Sequence, residues 1–328
     1  MLVSSCFSLG AQPSPVLTRI AFGSCSDEDL PEQMWSEIIR QKPQLCIWLG
    51  DNIYGDTHNM DSMRLQYDHQ KADLMYQQLL KVSAVIGTWD DHDYGQNDGG
   101  KFYSKKKESK VEFLRFMAVP VDDAMRNHEG VYNSHVYGTG KKKIKIILLD
   151  TRYFRDTTIK SVTPGRRYDP NPTGDVLGEP QWTWLEREIR NSKAAIQIIG
   201  SSIQFVANDH GYEKWGNFPK ARQRMLDLLV KYKGKRIIII SGDRHIAEVS
   251  KMDVPGLPYS LYDITSSGLT HTWSSTMAFE KNQCRVGKLI IEKNFGMILV
   301  DWSGKNPMVT IEIRGKNDVL WDQPTIIK

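Results

Sequence analysis

The chain has 328 residues, 40% hydrophobic and 25% charged, which is ordinary for a globular protein and excludes a disordered or fibrous chain. Its net charge of +4 is too mild for a strongly basic nucleic-acid binder. No apolar run reaches the roughly 18 residues needed to cross a bilayer as a helix. The short runs Lys105-Lys106-Lys107 and Lys141-Lys142-Lys143 read as a solvated helix start and a hairpin turn, so no specific nucleic-acid partner is expected.

Residues 1–14 read as the remnant of a secretory signal. Met1 to Ala11 is apolar and rich in small residues, though without a positively charged start. Val3-Ser4-Ser5-Cys6 offers a lipoprotein cleavage box. The expectation is a secreted or periplasmic protein, lipid-anchored if Cys6 is acylated, with residues 15–328 as a single domain. Cys25, Cys46 and Cys284 are too widely spaced, and odd in number, for a disulfide framework. Cys46 lies inside Leu45-Cys46-Ile47-Trp48-Leu49 and reads as a small buried hydrophobe.

In chain order, Ile20-Ala21-Phe22-Gly23 reads as a buried strand that leads into Ser24-Cys25. A helix is expected over 31–40, capped by Asp29, with Met34, Trp35, Ile38 and Ile39 as its apolar stripe. The next strand, Ile47-Trp48-Leu49, breaks at Gly50 and delivers Asp51, Asn52 and Tyr54. Strand–helix–strand order makes these two strands parallel neighbours. A helix over 61–80, with Met63, Tyr67, Leu74, Leu79 and Leu80 inward, precedes a strand over 82–89. That strand delivers Asp90-Asp91-His92-Asp93 into a polar loop reaching Gly100. A helix over 104–118 follows, then a hairpin of strands over 131–137 and 143–149. Its turn, Gly138-Thr139-Gly140-Lys141, opens a strand rather than a helix and so is no phosphate loop.

The segment 152–178 is rich in Pro and Gly and ends at a helix over 180–191. A strand over 195–200, a loop over 208–218 and a helix over 220–231 come next. Ile237-Ile238-Ile239-Ile240-Ser241-Gly242 then delivers Asp243-Arg244-His245. The remaining strands fall at 247–251, 259–265, 287–293, 296–301 and 308–314. With α/β units first and strand runs last, the order predicts two stacked sheets with outer helices.

Ligands gather outside the carboxyl ends of strands in open α/β sheets. Four apolar runs here end in a thiol, carboxylates, a phenol and imidazoles, and the set reads as one metal site. A phenol with a pKa of about 10 ligates well only a strongly acidic cation such as ferric iron. Asp51 can share its second oxygen with another ion, and Asp91 and Asp243 add oxygen ligands suited to calcium, magnesium or manganese. Two such ions clamp an in-line phosphoryl displacement, with the bridging hydroxide as nucleophile.

Gly50-Asp51-x-x-Tyr54, Asp91-His92-Asp93 and Gly242-Asp243-x-His245 resemble the calcineurin-like metallophosphoesterases. Gly23-Ser24-Cys25, Thr88-Trp89-Asp90-Asp91-His92-Asp93, Leu149-Asp150-Thr151-Arg152 and the Leu177 to Glu186 segment narrow the resemblance to the PhoD-like alkaline phosphatases. It covers about two-thirds of the chain, Phe22 to His245. The resemblance implies an α/β fold of two stacked mixed β-sheets flanked by helices, a four-layer αββα sandwich. It implies hydrolysis of small phosphate mono- and diesters at alkaline pH, with ferric iron and a second divalent metal, calcium, as cofactors. Carried over, Cys25, Asp51, Tyr54 and His245 hold the iron, while Asp51, Asp91 and Asp243 face the second metal. His92 becomes the candidate general acid, and Asn52 a contact to a substrate oxygen. The wider superfamily often has Asn, Glu and His where this chain has Asp91, Asp93 and Asp243; the extra carboxylates favour oxygen-loving metals over zinc.

Each residue alone has a plainer reading: a buried thiol, a turn cap, a packing tyrosine, a core histidine. Asp90 reads as a cap or support, Asp150 with Arg152 as a structural pair near the rim, and Trp182 and Trp184 as core. Gln204 is a loose match for a further metal or substrate contact. His210, Lys214, Trp215, Arg166 and Arg167 are loop candidates for substrate. The competing functions are a phospholipase D-like phosphodiesterase acting on phospholipid, a cysteine hydrolase using Cys25, and a non-catalytic metal-binding relative.

Overall fold

Five-residue runs dominated by Ile and Leu, too short for buried helices, form central strands of two sheets. The computed structural model describes residues 14–31, 33–273 and 280–326, with side chains described through Asp322 in the last strand. The secretory remnant therefore lies outside the described residues apart from Ser14.

The first half of the chain gives β1 (Arg19–Gly23), α1 (Trp35–Arg40), β2 (Leu45–Leu49), α2 (Met60–Ala72), α3 (Leu74–Val82) and β3 (Ala84–Thr88). It continues with α4 (Asp91–Tyr94), α5 (Lys106–Phe116), β4 (Asn133–Tyr137), β5 (Ile144–Leu148), β6 (Ile159–Lys160) and β7 (Tyr168–Asp169). The second half gives α6 (Gly178–Asn191), β8 (Ile196–Ser201), α7 (Pro219–Lys231), β9 (Ile237–Ser241), β10 (Ala247–Met252) and β11 (Leu261–Ser266). The chain closes with β12 (Arg285–Ile290), β13 (Phe295–Asp301), β14 (Met308–Arg314) and β15 (Val319–Ile326).

Among the described residues, one large sheet has the order β15-β14-β13-β1-β2-β3 and the other β12-β10-β11-β9-β8-β5-β4. β1, β2 and β3 run parallel, as do β5, β8, β9 and β11. The outer pairings of both sheets are antiparallel. Strand alternation then sorts the side chains. From β2, Leu45, Ile47 and Leu49 enter the layer between the sheets, meeting Ile144, Ile146, Ile198 and Ile240. Cys46 and Trp48 point the other way, onto Trp35, Tyr76 and Phe116 of the helices. On the far side, Ile147, Ile199 and Ile239 pack against Trp182, Leu185, Met225 and Leu229. The result is the four-layer αββα arrangement expected from the sequence, with the carboxyl ends of parallel strands from both sheets brought together.

Local differences have local causes. The helix expected over 61–80 breaks at Asp73, whose extended backbone (ψ 126°) lets its carboxylate accept from Tyr76 N at 2.7 Å and cap α3. The break turns Leu74 outward, 79% exposed, and leaves Leu80 at the surface, while Met63, Tyr67 and Leu79 are buried as expected. α1 starts at Trp35, so Asp29 does not cap it. A helical turn, α4, lies inside the expected polar loop. β15 was not expected because Pro324 interrupts its pattern; it sits on the sheet edge, where a missing N–H is tolerated.

Candidate metal centre

Each parallel strand hands the chain to a tight turn. β1 leads to Cys25, β2 to Asp51 and Tyr54, β3 to the turn of Asp91 and His92, and β9 to Asp243 and His245. Four of these residues hold left-handed backbone: Cys25 (φ 61°), Asp51 (φ 49°), Asp243 (φ 70°) and His245 (φ 53°). Such conformations cost non-glycine residues on the order of 1–3 kcal/mol each and collect at functional sites. Gly50 (φ 102°) makes the Asp51 turn possible, since a Cβ there would lie 2.6 Å from Asp90 N.

The turns bring donor atoms together. One donor atom each from Cys25, Asp51 and His245 lies within 4.8 Å of the others. Cys25 Sγ is 3.3 Å from Asp51 Oδ2, and Tyr54 Oη is 3.4 Å from His245 Nε2. A second group, Asp90, Asp91 and Asp243, obeys the same 4.8 Å limit, and a third, Asp51, Asp91 and His92, joins the two. Metal–ligand bonds run about 2.0–2.6 Å, so donors around one ion stand within about 5 Å of one another. Asp51 belongs to the first and third groups, and Asp91 to the second and third.

The protonation equilibria fit cations. Burial, aided by Asp51, pushes the Cys25 thiol well above its usual range. Burial likewise raises the Tyr54 phenol, with Cys25 and Asp51 adding to it. The Asp51 and Asp243 carboxyls are driven up by burial and by neighbouring aspartates. So many anionic donors cannot all ionise unless positive charge offsets them. His245 is pushed down to about 3 by burial and by His271, which keeps its ring neutral. The donor set therefore fits one strongly acidic cation beside a second, oxygen-liganded one.

Asp91 behaves oppositely: burial resists its ionisation, yet Arg152 and His92 hold the carboxyl well below its usual range. His92 is raised to about 11; burial opposes its charge, but Asp91, Asp51 and Asp56 outweigh it. Its Nδ1 lies 2.5 Å from Asp56 Oδ2, and its ring packs 4.3 Å from that of Tyr54. The protonated imidazolium is thus favoured next to the aspartates.

Other expected residues are placed differently. Asn52 is wholly buried, its Nδ2 donating to Asp93 Oδ2 at 2.6 Å and Thr88 O at 3.1 Å. Its donor is spent inside the protein rather than on a substrate oxygen; with Asp93 it braces the Asp51 turn, where Asp51 N donates to Asp93 Oδ1. Arg152 is not at the rim but wholly buried, and its guanidinium pairs with Asp90 and Glu213 at 2.5 Å each. Asp150 instead accepts backbone N–H groups from Val131, Arg152 and Tyr153. Asp90 stands at the first position before α4, its N–H donating to Asp93 Oδ1 at 2.7 Å and its carboxylate paired with Arg152. Gln204 donates to Glu248 and Thr265, outside the clusters. His210, Lys214 and Trp215 are buried rather than loop-exposed, and Trp182 is core.

Several members of the site were not foreseen. Glu213 and Asp98 join Asp91 in a further carboxylate group within 4.8 Å. His271 Nε2 lies 3.3 Å from Tyr54 Oη. His271 had a signal of the expected kind: the run Leu261 to Ser266 is another strand, followed by Ser267-Gly268 and then Thr270-His271. Glu213 had none, being a lone acid in a loop. All open onto or lie beside a cleft of about 500 Å³ whose wall includes Asp91, His92, Asp243, His245, Arg167, Tyr212 and Trp273.

Two mixed sheets between helices, with anionic donors converging at the strand ends, define a metal-dependent phosphoesterase of the two-sheet class. The sequence profile of the PhoD-like phosphatases matches residues 20–276, and the chain belongs to that family of enzymes. Among solved structures it is similar to one described as PhoD, with a TM-score of 0.72 at 18% identity over 97% of this chain and 70% of that one. It is also similar to a dimetal phosphatase from Danio rerio, with a TM-score of 0.59 at 13% identity over 94% of this chain and 98% of that one. Likeness at such identities establishes the fold. No curated protein matches the sequence.

Proposed function

We propose that this enzyme hydrolyses small phosphate mono- and diesters at alkaline pH. The supporting observation is the run of donor groups, each within 4.8 Å, linked to one another through Asp51 and Asp91. Cys25, Asp51, Tyr54 and His245 would hold ferric iron, whose acidity suits the thiol and phenol. Asp51, Asp91 and Asp243 would hold the second divalent ion, for which calcium suits an all-carboxylate set. When bound, the two cations supply Lewis acidity and an acidified water for attack at phosphorus. His92 gives its proton to the departing oxygen, and Asp56 orients the ring through Nδ1. Asp93 and Asn52 hold the Asp51 turn, and Arg152 keeps Asp91 ionised.

The same residues serve a monoesterase and a diesterase, including one acting on a phospholipid headgroup. Secretion, with or without a lipid at Cys6, belongs to this reading, and no helix among the described residues is long and apolar enough to cross a membrane. The test is turnover of p-nitrophenyl phosphate and bis-p-nitrophenyl phosphate at about pH 8–10, before and after chelation. Metal-dependent turnover of either is expected; metal-independent turnover that iodoacetamide abolishes would instead favour Cys25 as a nucleophile.

A further inference from the structure

Beside the aspartates and His245, the cleft carries an aromatic wall that the chemistry just described does not use. Trp273 is 42% exposed, an unusual state for an indole, and it lines the same cleft as Asp91 and Asp243. Its place is fixed from behind: Trp273 N donates to His245 O at 3.0 Å, and the indole lies 5.3 Å from the His245 ring. Tyr212 stands 6.4 Å from the indole with the two planes inclined by 30°, and both residues line the cleft as an aromatic shelf. Arg244, itself part of the cleft wall, packs on Tyr212. Its guanidinium sits 4.4 Å from the Tyr212 ring centroid and is itself held by both oxygens of Glu280, at 2.8 and 2.7 Å. A rigid, partly solvated π-surface one residue's width from the reacting centre is positioned to meet the group attached to the phosphoryl, not the phosphoryl itself.

Resting on the phosphoesterase reading, we propose that the Tyr212–Trp273 wall selects esters whose alcohol portion is a planar aromatic, an aryl group or a nucleobase-bearing one, by stacking it against the indole. An alkyl alcohol such as glycerol would leave the shelf wet and gain nothing from it. Stacking of one base on an aromatic side chain changes affinity by about tenfold or more. The selectivity of interest is therefore a ratio between substrates, in which the intrinsic reactivity of each leaving group cancels when enzyme variants are compared.

The experiment compares wild type, Trp273→Leu and Trp273→Phe, all loaded with metal. Calorimetric titration with phenylphosphonate and methylphosphonate, neither hydrolysable, reads stacking without turnover. Hydrolysis of adenosine 5′-monophosphate, phenyl phosphate and glycerol 3-phosphate reads it in kcat/KM. Wild type is expected to prefer phenylphosphonate by about tenfold, with Trp273→Phe keeping most of that preference and Trp273→Leu erasing it. The kcat/KM ratios should shift in parallel, through KM, and whether the adenosine or the phenyl ester suffers more identifies which planar group the shelf fits. A preference absent from wild type, or surviving undiminished in Trp273→Leu, would overturn the proposal. Binding preference without hydrolysis of any ester would uphold the shelf and refute the phosphoesterase reading, so the two failures are distinct.

Discussion

Replacing Arg152 with methionine removes a cation buried among the acids behind the second metal group. Arg152 has no exposed surface, pairs with Asp90 and Glu213 at 2.5 Å each, and lies 3.8 and 4.0 Å from Asp91 and Asp243. Methionine fills much of the volume, so the loss is electrostatic: Asp90 stays buried without its guanidinium partner, and Glu213 is left with Arg155, at 3.1 Å. Breaking a buried pair from one side costs about 3–5 kcal/mol. For a chain of this size that corresponds to a fall in Tm of roughly 6–10 °C, at about 2 °C per kcal/mol.

The pH dependence has a definite sign. Burial already raises Asp90 to about 6 despite Arg152, against an ordinary 3.8. A carboxyl raised in the folded state binds more protons there than in the unfolded chain, so stability falls as pH climbs through that window and is flat above it. Without the guanidinium, Asp90 and Glu213 rise further, and the window extends above pH 6 in Arg152→Met. The variant's deficit should therefore be smaller at pH 5 than at pH 8, measured by scanning calorimetry on chelator-treated protein. A deficit below about 1 kcal/mol, or one of equal size at both pH values, would refute the reasoning.

Three further outcomes follow from the same geometry. Removing the ring in His92→Asn should slow alkyl phosphates by about 10²–10⁴ while sparing p-nitrophenyl phosphate, whose leaving group needs no proton; equal losses on both would remove His92 from that role. Asp56→Asn takes away the Nδ1 partner that helps hold His92 at about 11, so the alkaline limb of kcat should move to lower pH in a pH–rate profile. Gly50→Ala, at φ 102° with no room before Asp90 N, should destabilise by at least about 1–3 kcal/mol in chemical denaturation and weaken metal retention through Asp51.

The strands and their turns were legible because buried parallel strands must be apolar throughout and must end at glycine or a small residue. Ile237 to Gly242 announces β9 in six consecutive positions and leads straight into the Asp243–His245 turn, and β2 does the same for Asp51 and Tyr54. What the sequence hid were partners chosen by tertiary packing. Nothing local to Arg152 tells that its guanidinium turns from the adjacent Asp150 to Asp90 and Glu213, more than sixty residues away on either side. Trp273 and Tyr212 carry no periodic signal, since they lie in loops whose course depends on His245 and Arg244. For Asn52, adjacency to Asp51 suggested a substrate contact, and nothing local showed that the turn rotates its side-chain amide into the Asp93 network.

The claim that the strand-end donors grip two cations and that these drive hydrolysis is tested most directly by counting metal and turnover on one sample. Elemental mass spectrometry of the purified chain should give two ions per molecule, one of them iron, with hydrolysis of p-nitrophenyl phosphate falling in proportion as chelator strips them and returning on their restoration. In Tyr54→Phe the visible tyrosinate-to-iron band should vanish and iron retention should drop by more than about tenfold. Full turnover by protein carrying no metal would contradict the account.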